Sequence, residues 1–209
     1  MDYTIGGFTT YRGTARMEIG IETVLGIVTG IGLSAACGFR IFVPLLIMNL
    51  AVLYGRLHPA PGFEWIGSHY ATIAFGTATG LEVLAYYIPW LDNILDAIAS
   101  PVSIIAGTIT AASVITDMPP SMKWMVAIIA GGGMAGIIQG ATAALRGKSS
   151  LFTGGLGNPL VSTLELTGAV FIALLAIIIP LICLVLVVAF AVFVIYRAIR
   201  NHFQKMKIA

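Results

Sequence analysis

The sequence predicts an all-α fold, a polytopic transmembrane helix bundle, and three observations carry that expectation. The chain of 209 residues is 58% hydrophobic and only 10% charged, whereas a soluble domain carries about 25% charged residues. Its apolar runs approach or exceed the roughly 20 helical residues that cross a bilayer core. The longest polar stretch between them, Gly55 to His69, leaves no room for a soluble domain. We divide the chain into a polar N-terminal segment (1–17), a transmembrane domain (18–197) and a basic tail (198–209).

Five or six hydrophobic segments follow in order. The first, Ile19 to about Cys37, has no cleavable-signal pattern before it and is expected to act as an uncleaved insertion signal. Around Gly38, Arg40 and Pro44 the apolar run is interrupted, because glycine, a charge and proline each disfavour a continuous membrane helix. The next segment, Ile41 to Tyr54, is too short for a full crossing and suits a re-entrant or half-spanning helix. Pro59, Pro61, Gly62 and Trp65 make 55–68 an interfacial loop. Spans follow at His69–Ile88, Asp92–Thr116 and Trp124–Leu145, with Ser100-Pro101 as a kink and Asp117 to Lys123 as a surface turn. Arg146 and Lys148 close the third of these, and the glycine-rich stretch Ser149–Asn158 reads as a loop. Broken or re-entrant helices are expected near 37–44 and 154–159. Pro159 to Tyr196 is nearly two spans long and allows either one kinked helix or a hairpin near Pro180.

By the positive-inside rule the tail, with four basic residues between Arg197 and Lys207, is cytoplasmic. Arg146 and Lys148 then mark a second cytoplasmic loop, and Arg12 and Arg16 place the N-terminus on the same side. The net charge of +2 gives no reason to expect nucleic acid. Cys37 and Cys183 sit in apolar runs and read as small buried hydrophobes.

Small-xxx-small spacings occur at Gly26/Gly30, Gly76/Gly80 and Gly132/Gly136/Gly140. They let helix backbones approach closely and are assigned to packing. The ionisable residues inside the spans are the candidates for function, since a charge at bilayer depth is costly without a partner or water. They are Arg40, with Glu82, Asp92 and Glu165 as its candidate partners, and Asn93 and Asp96 beside Asp92. Asn158, before Pro159, would open a helix whose free N–H groups can hold an anion, although an ordinary loop with an Asn cap explains the same residues and is the preferred reading. A structural ion pair at Arg40 competes evenly with a binding role. Asp92 and Asp96, one turn apart, read as interfacial residues capping a helix. With no nucleophile elbow, zinc-ligand spacing or phosphate loop, no enzyme activity, metal or cofactor is expected.

Several segments together resemble a bacterial family of small multi-pass membrane proteins catalogued as domain of unknown function 4126. They are Leu33 to Leu46, Leu81-Glu82, Ile88 to Leu95, Ala144-Leu-Arg146, and Thr153 to Pro159 followed by Ser162 and Glu165. Where the family pattern has an acidic pair near Glu165, Leu166 takes the second place. Where it has an acid–lysine pair, this chain has Ala85-Tyr86-Tyr87. The resemblance implies an integral membrane fold in a bacterial cytoplasmic membrane and carries no established activity. Two functions are expected from the whole: a transporter or channel-like protein for an ion or small anionic or lipid-linked substrate, or a structural subunit of a larger membrane complex. Expected partners are lipids, further copies of the chain, or that complex.

Overall fold

The computed structural model describes residues 20–88 and 91–206; the side chains of 92, 93 and 202–206 are outside that description, as is the N-terminal segment 1–17. Seven helices form among the described residues: α1 Ile21–Phe39, α2 Phe42–Leu53, α3 His69–Tyr86, α4 Leu91–Val114, α5 Pro120–Thr153, α6 Asn158–Ile178 and α7 Pro180–Met206. Five of them (α1, α4, α5, α6 and α7) are long and apolar enough to cross a membrane. The outer face of the bundle is apolar, with large side chains such as Val185, Phe193 and Ile129 exposed, while serine, threonine and arginine lie inside. That inversion of a soluble protein's pattern is what lipid solvent selects.

α1 is the central helix, and its small residues explain why. Added carbons at Gly26 and Gly30 would strike Val114 and Ala111 of α4, and one at Gly38 would come within 2.6 Å of the Ala135 carbonyl of α5. Gly32 abuts Ala176 of α6 and Cys183 of α7. The Ser34 hydroxyl lies 2.7 Å from the Gly30 carbonyl in its own helix and 2.6 Å from the Gly107 carbonyl of α4. Gly132 and Gly136 also pack on α4, against Thr108 and Ile104. Both glycine pairs therefore serve one partner helix. Gly76, Gly80 and Gly140 differ: nothing lies within 4 Å of a carbon added at any of them. Their spacing serves no packing among the described residues.

These contacts give the directions of the helices. Along α1, Gly32 meets Ala176 and Phe39 meets Gly168, so α6 runs antiparallel to it. Gly32 also meets Cys183, and Phe39 stacks on Phe190, so α7 runs parallel. α6 and α7 are therefore two legs of a hairpin. The turn is the single residue Ile179, whose N–H donates to Leu175 O (2.8 Å) and whose carbonyl accepts from Cys183 N (3.1 Å). Pro180 starts α7, where its missing N–H is not needed.

Because α1 and α7 are parallel, the start of α1 and the end of α7 lie at opposite ends of the bundle. Arg12 and Arg16, on which the expected side of the N-terminus rests, lie outside the described residues. Arg146 was expected in a loop, yet α5 runs through it to Thr153, and the connection to α6 is only Gly154 to Gly157. Gly154 and Gly155 take positive φ (62° and 91°), which glycine adopts freely. The break near 154–159 is thus a turn at the bundle's end. The 55–68 loop is less superficial than its composition suggests, since Ala60 and Ile66 are buried and Asn49 of α2 donates to the Ile66 and Ser68 carbonyls.

Candidate functional site

The break at Arg40 has a local cause. α1 ends at Phe39 as Arg40 turns extended (φ −147°, ψ 133°). α2 starts with Phe42-Val43-Pro44, placing proline in the first turn, where a helix has no internal acceptor for its N–H. The orphaned N–H groups of Ile41 and Phe42 donate to the two oxygens of Glu82, at 2.8 and 3.0 Å. Glu82 therefore caps a half-helix inside the protein, where its negative charge meets the positive end of the helix dipole. α2 is 12 residues long, about 18 Å, and returns antiparallel to α3: Ile41 faces Glu82 while Asn49 accepts from Thr72.

At this tip five helices deliver charge to one place. Arg40 is 2% exposed. Its Nη2 donates to the carbonyl (3.1 Å) and hydroxyl of Ser162 on α6 and lies 3.5 Å from Glu165 Oε2. Arg146, two turns before the end of α5, donates one nitrogen to Asp96 of α4 and the other to that same Glu165 oxygen. Both guanidinium groups lie over the ring of Tyr86, 3.9 Å and 4.3 Å from its centroid. The Tyr86 hydroxyl donates to Asp96 at 3.4 Å.

The planar arginine fork suits such bidentate sharing, and stacking on an aromatic face adds attraction. Yet the pairing is incomplete. Arg40 Nε and Nη1, Arg146 Nε and Glu165 Oε1 are buried and meet no hydrogen-bond partner among the described residues. Buried donors left in this way are uncommon, because each forfeits its hydration.

The structure sorts the sequence candidates. Arg40, Glu82, Asp96 and Glu165 come together. Asp96 is no mere surface cap, since it holds Arg146. The Asp92 and Asn93 side chains are outside the described residues. Asn158 bonds Ser150 of α5 at 2.9 Å, one helical turn outside Ser162, in a turn flanked by the exposed Leu151, Phe152 and Leu156. Two members were missed. In the sequence Tyr86 is a neighbour of Glu82 and stands where the family has a charge pair; its spacing of four from Glu82 puts both on one face of α3. Arg146 reads in the sequence as a loop marker and, with Arg40, as one of the two cations set against the intramembrane acids. Among the described residues no group of histidine, cysteine, aspartate and glutamate could hold a metal ion.

A family model described as domain of unknown function 4126 matches residues 27–200. The chain belongs to that family. The match takes in the whole arginine cluster, from the Arg40 break to Glu165, and stops within α7. No curated protein and no solved structure matches the chain.

Proposed function

We propose that this multi-pass membrane protein is a small transporter for an ion or small anion, with the Arg40–Arg146 pair as its binding station. One observation carries the reading: two buried arginines at a broken-helix tip keep N–H groups without acceptors among the described residues. An anion entering there would accept those hydrogens and compete with Glu165, the carboxylate both arginines share. Exchange of Glu165 for substrate is then the step that loosens the α1–α2 tip from α6. Broken helices of this kind bind substrates near the bundle centre in known transporters. The Lys148, Arg197 and Arg200 end is cytoplasmic by the positive-inside rule, in a bacterial cytoplasmic membrane. Purified protein in liposomes should carry chloride, bicarbonate or phosphate above protein-free controls, and Arg40→Gln should reduce that flux at least tenfold. Wild-type flux equal to controls for all three anions overturns the proposal.

A second reading, an accessory subunit of a larger membrane complex, is favoured by α3. This helix buries only Ala71 and Tyr86, and Gly76 and Gly80 meet nothing among the described residues. Small residues so spaced suit a helix from another subunit. Native gels of membranes in mild detergent separate the two: a heteromeric band that dissociates on Gly76→Leu supports the subunit, and a lone chain or homo-oligomer counts against it.

A further inference from the structure

Away from the arginine cluster, near the opposite end of the bundle, α2 and α6 splay apart. Between them lies a groove of about 590 Å³, within the usual range of small-molecule sites. Its walls are aliphatic, formed by Ile47 and Leu50 of α2 and Leu174 and Ile177 of α6. Leu50 and Leu174 are 36% and 44% exposed, so the groove opens sideways to the surroundings of the bundle. It sits over the last two turns of α6, just before the Ile179 turn. Its mouth carries Tyr54 and Arg56. Tyr54 is exposed, as aromatic residues are at a membrane interface. Arg56 is exposed and makes no ion pair among the described residues.

We propose that this groove binds one phospholipid with an anionic headgroup, its acyl chain between α2 and α6 and its phosphate on Arg56. The short α2 is what allows it. By ending after 12 residues, the helix brings Arg56 to the mouth of the groove while its own apolar side remains in the hydrocarbon. Charge complementarity selects the headgroup: a cation without an internal partner stands over an aliphatic slot that opens toward lipid. A soluble anion would use the arginine and leave the slot unused. A zwitterionic lipid would fill the slot with no net attraction to the charge. The site lies in the leaflet opposite the basic end of α7 and is independent of the transport reading.

Native mass spectrometry of the detergent-purified protein, titrated with phosphatidylglycerol and phosphatidylcholine, tests the site. Phosphatidylglycerol should bind about fivefold more tightly, the preference that ~1 kcal/mol from one basic residue near an anionic headgroup produces. Arg56→Gln should abolish the preference, and Arg200→Gln, at the other end of the bundle, should leave it intact. A phosphatidylglycerol with a photoreactive acyl chain should crosslink to Leu50 or Leu174. Equal loss with Arg200→Gln means general charge attraction and overturns the proposal. So does a preference that survives Arg56→Gln, or competition by glycerol phosphate as strong as by the whole lipid. A photoreactive amino acid placed at Leu50 that crosslinks two copies of the chain in place of lipid also overturns it.

Discussion

Arg40 and Arg146, 106 positions apart in the chain, reach the same oxygen of one carboxylate, Glu165 Oε2. The two arginines arrive on the break between α1 and α2 and on the continuous helical segment α5, so one residue of α6 couples three elements. Removing that carboxylate leaves two buried cations with too few anions. Glu165→Gln should lower stability by about 3 to 5 kcal/mol, as breaking a buried pair does. Denaturant-induced unfolding in mild detergent measures it, and a change below about 1 kcal/mol means that the arginines find other partners.

Tyr86 separates stacking from hydrogen bonding. Tyr86→Phe keeps the ring under both guanidinium groups and loses only the hydroxyl contact to Asp96, so it should cost less than about 1 kcal/mol. Tyr86→Leu loses both stacking contacts and should cost about 2 kcal/mol or more. Equal effects of the two substitutions in the same unfolding assay would show that the ring face contributes nothing.

Glu82 holds the start of α2 through two backbone N–H groups. Glu82→Ala should destabilise the tip by about 1 to 2 kcal/mol, the range for losing a helix cap. Hydrogen exchange should then quicken at Ile41 and Phe42 while the amides of α4 and α6 remain protected. Unchanged exchange at those two positions would rule out the cap.

The glycines divide sharply, and alanine substitutions read the division. Gly38→Ala places a carbon 2.6 Å from the Ala135 carbonyl and should destabilise by about 1 to 3 kcal/mol through overpacking. Gly76→Ala and Gly140→Ala meet nothing within 4 Å. As alanine favours the helix, they should leave stability unchanged or raise it by up to about 1 kcal/mol. Thermal unfolding of the three variants in one detergent checks the order.

Much of this was legible in the sequence. Composition identifies the membrane class, because 58% hydrophobic and only 10% charged residues leave too little charge for a soluble surface. Gly38, Arg40 and Pro44 mark the broken helix, since each residue type opposes helix continuity in lipid. The hairpin at Pro180 was not decidable: a one-residue turn needs no glycine or asparagine signal, and Pro180 reads the same in a kink as at a helix start. Arg146 misled because a basic residue after an apolar run looks like a loop, and only the aspartate and glutamate delivered by α4 and α6 allow it to stay buried. The grouping of Arg40, Arg146, Asp96 and Glu165 depends on side chains far apart in the chain, which no local pattern records.

The side assignment has its own check. Single cysteines at His58 and Leu156 lie at opposite ends of the bundle, while native Cys37 and Cys183 are fully buried. A membrane-impermeant maleimide added to intact cells should label the His58→Cys variant and spare Leu156→Cys. Labelling of both from one side would refute seven alternating helices.

If Arg40 and Arg146 present N–H groups to an anion, their guanidinium resonances will report its binding. In protein labelled with ¹⁵N-arginine and held in nanodiscs, the Nε–H signals of both residues should shift saturably on titration with phosphate, bicarbonate or chloride. Arg40→Gln should remove the Arg40 signal and weaken the response of Arg146. If neither resonance moves for any of the three anions up to 100-fold excess, the pair is a structural lock and the binding station does not exist.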